Sequence, residues 1–332
     1  MSETLRFRAL PNDALGLIAG ASPAIKRVIG LIGRFAPTTL PILIVGATGT
    51  GKELVARHIH RLSRRRDEFV DVNCGALPRE MVESLLFGHR KGAFTGAIES
   101  AVGYVERSNR GTMFLDEVSS LPPEAQVKLL RVLESSEVQP LGDASKRLVD
   151  LRVIAAAQND ITGRLASAAF RRDLYQRLAG VVIALPPLAD RPEDVLPLAR
   201  LFADRQGKAL EPAAERLLVR HSWPGNVREL RQVIDRAGWL VEDGTLTAAA
   251  VVEAFNLGEA VWGDAVRAHG EHTPENAEPI VAACAAHGWH AGRTAAALGI
   301  ARSTLWVRLQ RLGISLRETK RAGIVRRLFE QS

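Results

Sequence analysis

A glycine-rich loop constrains the fold of this 332-residue chain most strongly. The segment GATGTGK, residues 46–52, follows an apolar run, Ile42–Val45, and precedes a stretch with helical periodicity, Glu53–Ser63. Glycines let backbone N–H groups close around phosphate oxygens, and a helix N-terminus adds a partial positive charge. The strand–loop–helix context that a P-loop requires is therefore present, and it disfavours a chance glycine-rich turn.

The residue types of this loop predict a nucleotide site. Lys52 is expected to reach the β- and γ-phosphates. The next position, a magnesium-ligating Ser or Thr in most P-loops, is Glu53 here. The predicted ATP-binding residues of the loop are Gly46, Ala47, Thr48, Gly49, Thr50, Gly51, Lys52 and Glu53.

Two carboxylates end a second apolar strand, in GTMFLDE, residues 111–117. Such a strand places Asp116 beside the phosphates to hold Mg²⁺, directly or through water, and Glu117 where it can orient or activate the attacking water. An Asp-Glu pair at a strand end is ordinarily just solvated. Together with the P-loop, the pair predicts ATP hydrolysis.

Short β-rich runs alternate with helical stretches as far as about residue 255. The other strand candidates are Phe69–Val72, Met113–Leu115, Val153–Ala156 and Val181–Leu185, and the other helical stretches are Glu80–Phe87, Pro123–Glu134 and Arg172–Leu178. This alternation predicts a parallel sheet covered by helices. From about residue 192 to residue 255 strand signals vanish and apolar residues recur at helical spacing, which predicts a helical subdomain.

The composition excludes several classes of protein. A hydrophobic fraction of 46% argues against a disordered chain. No uncharged apolar stretch reaches 18 residues, and the charged N-terminus lacks the apolar core of a signal peptide. Cys74 and Cys284 lie too far apart in the sequence to form a disulfide framework or a metal cluster, which predicts a cytoplasmic protein.

Between the two phosphate-site motifs lies FGHRKGAFTGA, residues 87–97. Turn chemistry explains its glycines but not an apolar Phe94 at the expected tip of a surface loop. Two interpretations fit the segment: a hairpin with Phe94 packed in the core, or an exposed contact loop.

With this segment, residues 15–255 resemble the AAA+ activators of sigma-54 RNA polymerase, the bacterial enhancer-binding proteins. The family signature GAFTGA stands intact at Gly92, Ala93, Phe94, Thr95, Gly96 and Ala97. The resemblance implies that this loop contacts sigma-54 and moves with the nucleotide state. It also implies an α/β fold, an AAA+ P-loop parallel sheet with a helical lid, followed by an all-α helix-turn-helix domain.

The resemblance assigns further residues to the nucleotide site. Asn73, in VNC, matches the residue that switches Glu117 according to the bound nucleotide. Asn159, in AAAQND, matches the sensor of the γ-phosphate, and Arg228, in WPGNVREL, matches a second sensor on the lid. Arg171 and Arg177, in FRRDLYQRL, match arginine fingers that act in trans, which implies a hexameric ring.

Four residues depart from the common family pattern. Ala47 and Thr48 stand where Glu-Ser is common, and Gln158 replaces a common Thr. None of the three removes a group that contacts phosphate. Leu85 stands where the family often has Glu, and it cannot make the charged contact by which such a Glu would hold the GAFTGA loop.

The segment Arg293–Ile314 has helix-turn-helix spacing, with Ala295 at a close helix contact, Gly299 in the turn and Leu305 as a core anchor. A plain three-helix bundle is the alternative. The second helix, about Ser303–Leu312, is the expected recognition helix. The candidate DNA contacts are Arg293, Arg302, Ser303, Thr304 and Arg308. The preceding helix, Glu278–His287, is expected to form a dimer interface, as in Fis-type domains.

These patterns predict six consecutive regions. They are an N-terminal tail (1–14), an AAA+ α/β subdomain (15–190), a helical lid (191–256), a linker (257–277), a helix-turn-helix domain (278–315) and a basic tail (316–332). Residues 278–332 carry nine Arg and Lys against three Glu, a net +6 of the chain's +7, so the positive charge lies at the expected double-stranded-DNA-binding end.

The leading hypothesis is therefore a sigma-54-dependent activator that binds upstream DNA and uses ATP hydrolysis to remodel the closed complex of sigma-54 RNA polymerase. Alternatives are an AAA+ DNA-binding repressor that does not engage sigma-54, and a general AAA+ remodeller with an incidental helical tail. The AAA+ signals begin near residue 15, which leaves no room for a sensory domain of ~100 residues. Control is expected from a separate regulatory protein or from expression level, unless a regulatory domain has been removed.

Overall fold

A computed structural model describes residues 21–65, 67–242, 244–267, 282–284, 286–287, 291–298 and 305. The predicted tails at residues 1–14 and 316–332 lie outside this part. The chain divides into two compact units, residues 1–258 and 259–332, each of which is described by itself.

The first unit is built on a five-stranded parallel sheet, and all five predicted strands are confirmed to within two residues. Its strands are β1 (Ile42–Gly46), β2 (Phe69–Asn73), β3 (Thr112–Asp116), β6 (Arg152–Ala157) and β7 (Val181–Leu185). The spatial order is β2-β3-β6-β1-β7. An antiparallel pair of two-residue strands, β4 (Glu137–Val138) and β5 (Arg147–Leu148), forms a separate hairpin.

The three inner strands β1, β3 and β6 are buried on both faces, which explains their near-continuous apolar runs, whereas the edge strands β2 and β7 bury alternate residues. Successive side chains of a strand alternate between faces. Leu43 therefore packs into one hydrophobic cluster, whereas Ile42 and Ile44 pack into another on the opposite face. The helices that cover the sheet are α1 (Pro23–Phe35), α2 (Lys52–Leu62), α3 (Val82–Phe87), α4 (Tyr104–Arg107), α5 (Pro123–Ser135), α6 (Ile161–Ala166) and α7 (Arg172–Leu178).

The lid that follows β7 has its own apolar core, which includes the buried side chains of Trp223 and Leu230. Its helices are α8 (Val195–Asp204), α9 (Pro212–Arg220), α10 (Asn226–Trp239) and α11 (Ala248–Arg267). The expectation of a lid without strands is wrong: β8 (Ala209–Leu210) and β9 (Thr245–Leu246) pair in parallel. Two residues are too few to produce an alternating pattern in the sequence.

Helix α11 also contradicts the predicted start of a linker at residue 257, because it continues to Arg267. The stretch from 257 to 267 contains no proline, and its two glycines each cost about 1 kcal/mol in a helix without ending it. Among the described residues, no helix is long and apolar enough to cross a bilayer.

In the second unit, the structure describes a short helix, α12 (Ala291–Ala297), and a few further residues. Ala295 and Leu305 are both buried, as expected for a close helix contact and a core anchor. Arg293 is exposed. The predicted DNA contacts Arg302, Ser303, Thr304 and Arg308 lie outside the described residues, as does half of the expected dimer helix, residues 278–281 and 285.

Candidate active site

The carboxyl ends of β1, β2 and β3 bring the predicted phosphate-site residues to one edge of the sheet. Asn73 and Asp116, the last residues of β2 and β3, are register partners on adjacent strands. A cavity of about 440 Å³ opens at this edge. It is lined by Thr48, Gly49, Gly51, Lys52, Glu53, Leu54, Asn73, Asp116, Glu117, Phe202, Val227, Arg228 and Arg231.

The P-loop needs glycine at two of its positions. Gly49 and Gly51 have φ angles of +79° and +103°, in the left-handed region that L side chains rarely adopt. A β-carbon on Gly49 would also overlap the carbonyl oxygen of Gly225, in the lid. Glycine at position 49 is therefore required both by the backbone turn and by the close approach of the lid.

Lys52 begins α2 and folds back over the loop. Its Nζ donates to the carbonyl oxygens of Gly46 at 3.0 Å and Ala47 at 3.2 Å. Burial lowers the pKa of Lys52, whereas the nearby Asp116 and Glu117 carboxylates oppose that shift. This arrangement places a cation next to the two carboxylates, inside the cavity.

Glu117 is held in a conformation that is uncommon for a residue with a side chain. Its φ is +51°, and its backbone N–H donates to Oδ1 of Asp116 at 2.9 Å. Such a backbone typically costs about 1–3 kcal/mol and concentrates at functional sites. A β-carbon on Gly75 would overlap Oε2 of Glu117, so Gly75 leaves room for that carboxylate.

The Asn73 side chain caps the turn that follows β2. Its Oδ1 accepts hydrogen bonds from the N–H groups of Gly75 at 2.9 Å and Ala76 at 3.1 Å. This turn passes directly beside the Glu117 carboxylate. A change in the hydrogen bonds of Asn73 would therefore move Gly75. A movement of Gly75 would change the space available to the Glu117 carboxylate.

Glu53 is engaged in an ion-pair network that sequence reasoning missed. Arg57, one turn later in α2, contacts Oε1 of Glu53 and Oδ2 of Asp71, both at 2.8 Å. Burial raises the pKa of Asp71, and the nearby Glu53 adds to that shift. The spacing of Glu53 and Arg57 is a helical i, i+4 pair and could have been found in the sequence, whereas the link to β2 depends on the fold.

Six residues predicted for the nucleotide site do not line this cavity: Gly46, Ala47, Thr50, Asn159, Arg171 and Arg177. Asn159 follows β6 and is exposed. Arg171 pairs with Asp173 through two hydrogen bonds of 2.7 and 3.1 Å, and Arg177 donates to the carbonyl oxygen of Leu133 at 2.9 and 3.0 Å. Both arginines are exposed.

The GAFTGA segment forms an exposed loop between α3 and α4. Phe94 is 42% exposed, and its ring meets His89 edge-on at a centroid distance of 5.0 Å. Gly92 and Gly96 have φ angles of +82° and +100°, and Thr95 is also exposed. The interpretation that placed Phe94 in the core is therefore wrong, because the two glycines turn the loop away from it.

The base of this loop is joined to the β4–β5 hairpin. The N–H of Arg90 donates to Leu141 at 2.9 Å, and the N–H of Leu141 donates to Gly88 at 2.9 Å. Nε of Arg90 also contacts Oδ2 of Asp143 at 2.6 Å. Hydrogen bonds from Ser145, and then the Arg90 contact, lower the pKa of Asp143. A charged contact thus holds the loop, although Leu85 cannot supply one.

The fold and this site define the class of protein. A parallel sheet with a P-loop after its β1 strand, a carboxylate pair on β3 and a helical lid is the AAA+ P-loop NTPase fold. Three family models match successive parts of the chain. They are the sigma-54 interaction domain (residues 18–184), the AAA+ ATPase lid domain (189–265) and the bacterial regulatory protein, Fis family (277–312). The chain belongs to the sigma-54 interaction domain family.

Curated relatives agree with this assignment. The C4-dicarboxylate transport transcriptional regulatory protein DctD of Rhizobium meliloti is 41% identical over 326 residues, which is 94% of this chain and 68% of that protein. The DNA-binding transcriptional activator HyfR of Escherichia coli is 41% identical over 335 residues, 95% of this chain and 50% of that protein. This chain therefore spans one half to two thirds of the length of these two relatives.

A solved structure supports the same fold. The crystal structure of NtrX from Brucella abortus in complex with ADP is 32% identical, with a TM-score of 0.66, and the match covers 89% of this chain and 70% of that one. The NtrX structure in complex with ATP matches with a TM-score of 0.64 and 33% identity.

Proposed function

We propose that this protein is an ATP-hydrolysing transcriptional activator that remodels the closed complex of sigma-54 RNA polymerase. One observation carries the proposal: a cavity lined by a P-loop, Lys52 and two carboxylates lies in the same subunit as an exposed GAFTGA loop with Phe94 at the surface. The membership of the sigma-54 interaction domain family supports it.

The donor groups of the cavity suit a nucleotide with Mg²⁺. The P-loop backbone and Lys52 provide positive potential for the phosphates, and the Asp116 carboxylate is the hard oxygen ligand that Mg²⁺ prefers. When bound, Mg²⁺ neutralises charge on the phosphate oxygens. Glu117 orients or activates the attacking water, and Asn73 changes the position of Glu117 with the nucleotide. Asn159 senses the γ-phosphate, and Arg228 faces the nucleotide from the lid as a second sensor.

Hydrolysis on this proposal needs a second subunit. Arg171 and Arg177 are exposed and do not line the cavity of their own subunit, which supports their action in trans. An arginine finger supplied by a neighbour stabilises the charge that develops on the transferred phosphoryl group. We therefore propose a ring of subunits, a hexamer, as the active form.

DNA binding is assigned to the C-terminal domain. The match to the Fis family covers residues 277–312, and most of the chain's net positive charge lies from residue 278 onwards. We propose that Arg293, Arg302, Ser303, Thr304 and Arg308 contact an upstream double-stranded site, and that this domain dimerises on it. Control by a separate regulatory protein remains part of the proposal.

Two variants separate the ATPase from the action on polymerase. Lys52→Ala should abolish nucleotide binding or turnover, measured by fluorescent-nucleotide titration and phosphate release. Thr95→Ala, on the exposed loop, should keep most ATPase activity and lose formation of the open promoter complex. The matched control is Thr245→Ala, a change of the same type at an exposed residue of β9 that belongs neither to the lining of the cavity nor to the loop. Normal promoter opening by Thr95→Ala would contradict the loop assignment. Failure of the wild-type protein to open the promoter, with DNA binding intact, would favour a repressor that does not engage sigma-54.

A direct binding assay tests the partner. With an ATP transition-state analogue, the protein should retain purified sigma-54 on a native gel, and Phe94→Ala should abolish the shifted band. Retention by the Phe94→Ala variant equal to that of the wild-type protein would contradict a role for this side chain in the contact.

A further inference from the structure

The lid donates hydrogen bonds to three consecutive carbonyl oxygens of the P-loop. Nδ2 of Asn226 donates to the carbonyl of Thr48 at 3.0 Å, and the backbone N–H of Arg228 donates to that of Gly49 at 3.2 Å. Nη2 of Arg191 donates to the carbonyl of Thr50 at 3.3 Å. Two of the donors, the side chains of Asn226 and Arg191, were not predicted as site residues. Three adjacent residues of the P-loop are thus held by another subdomain through their backbone carbonyls.

Asn226 joins three segments through one buried side chain. Besides the bond to Thr48, its Nδ2 donates to the carbonyl oxygen of Pro224 at 3.3 Å, and its Oδ1 accepts from the N–H of Leu188 at 2.8 Å. Its φ is +57°, in a region that asparagine tolerates better than most residues with a side chain. The side-chain oxygen of Asn226 therefore accepts a hydrogen bond and its nitrogen donates two. An aliphatic side chain could make neither kind of bond.

Arg191 extends the connection to the first helix. Its side chain is 3% exposed, and its Nη1 lies 3.7 Å from Oδ2 of Asp194. Both oxygens of Asp194 accept bonds of 2.7 Å from Ser22, the N-cap of α1. Burial lowers the pKa of Arg191, and Asp194 opposes the shift. The cation is thus fixed between a buried carboxylate and the Thr50 carbonyl.

The backbones of the lid and the P-loop also approach each other closely. Gly225 of the lid approaches Gly49 so closely that a β-carbon on Gly49 would overlap its carbonyl oxygen. A peptide unit is planar, so a P-loop N–H that turns toward a phosphate turns the neighbouring carbonyl with it. The donors on the lid must then follow or lose their bonds.

We propose that Asn226 and Arg191 are positioning residues that couple nucleotide binding at the P-loop to the position of the lid. This inference rests on the proposed function, in that the ligand is a nucleotide. The coupling is reciprocal: the nucleotide fixes the lid, and the lid fixes the P-loop peptides that bind the nucleotide. Because Arg228 belongs to the lid, fixing the lid also places Arg228 near the phosphates that the P-loop binds.

The test replaces the donor and leaves the rest of the side chain in place. Asn226→Asp keeps the acceptor for Leu188 and the tolerance for positive φ, but it sets an oxygen against the Thr48 carbonyl. The full-length variant should bind the fluorescent nucleotide mant-ADP with Mg²⁺ about 10-fold more weakly, which corresponds to about 1.4 kcal/mol. ADP should also protect residues 222–240 less from hydrogen exchange than it does in the wild-type protein.

Gln206→Glu is the matched control. Its amide donates only within the lid, to Asp235 at 3.2 Å and Ile234 at 3.5 Å, so the same amide-to-acid change should leave the affinity for mant-ADP within two-fold. If Asn226→Asp fails to fold, Arg191→Lys replaces it, since lysine keeps the charge facing Asp194 but not the planar reach to Thr50. This variant should show the same loss of affinity and of protection.

The outcomes separate the two proposals. Wild-type affinity and wild-type protection of residues 222–240 in a folded Asn226→Asp or Arg191→Lys variant would overturn the coupling and leave the proposed function standing. Failure of the wild-type protein to bind mant-ADP would overturn the proposed function, and the coupling with it. The change in ADP-induced protection is the readout that a merely structural role for Asn226 would not move.

Discussion

Replacement of Asp194 by Asn tests how much of the stability depends on one buried charge. Asp194 is fully buried, with Arg191 at 3.7 Å. At an effective dielectric constant of ~20, two unit charges at that separation interact by about 4.5 kcal/mol. Asn is isosteric and can still bond Ser22, so the change mainly leaves the Arg191 cation without its partner. Breaking a buried pair in this way typically costs about 3–5 kcal/mol.

We therefore expect Asp194→Asn to lower the free energy of unfolding at pH 7 by about 3–5 kcal/mol. Urea unfolding followed by tryptophan fluorescence measures it, with the buried Trp223 in the lid core as one reporter. Glu215→Gln is the control, because its partner Arg200 is 58% exposed and an exposed pair contributes at most about 1 kcal/mol. A loss below about 1 kcal/mol in Asp194→Asn would refute the reasoning.

Three further predictions follow from other parts of the molecule. Burial raises the pKa of the Cys74 thiol to about 12, so iodoacetamide at pH 8 should leave it unmodified until the protein unfolds; labelling under native conditions would contradict this. Burial lowers the pKa of His58 and of His60 below 6.5, so the unfolded state binds more protons than the folded state as the pH falls. The urea concentration at the midpoint of unfolding should therefore be lower at pH 5.5 than at pH 7.5. The difference should be smaller in a variant with Gln at both positions. Asp143→Asn removes the ion pair at the loop base, so amides of residues 92–97 should exchange faster while basal ATPase activity is kept; unchanged exchange would contradict a holding role.

Most of the sheet could be predicted because its three inner strands are buried on both faces and therefore appear as apolar runs, and its two edge strands keep apolar residues at their buried, alternate positions. The P-loop and the Asp116–Glu117 pair were predictable for a related reason. A parallel sheet brings the carboxyl ends of its strands to one edge, so residues that follow different strands meet there. The two-residue strands of the lid escaped prediction, because they contain too few residues to show a period.

The contacts of Asn226 and Arg191 could not be predicted from the sequence. Asn226 lies 178 residues after its partner Thr48, and Arg191 lies 141 residues after Thr50. Every residue type has a backbone carbonyl, so the acceptor of such a hydrogen bond can be any residue. No pattern of residue types therefore predicts these contacts. Leu85 illustrates the converse. The sequence indicates that a charged contact is missing there, but only the fold shows that Arg90 and Asp143 supply one.

The engagement of the P-loop carbonyls also determines the electrical character of the cavity. Every carbonyl oxygen from Gly46 to Thr50 accepts a hydrogen bond from Lys52, from Thr50 or from the lid. At least one lone pair of each carbonyl is thus engaged, and the N–H groups of Gly49 and Gly51 lie on the opposite sides of their trans peptides from carbonyls held by the lid. These hydrogen bonds therefore orient two N–H dipoles of the loop away from the lid donors. The loop is in this way pre-set to face an anion before any ligand is bound.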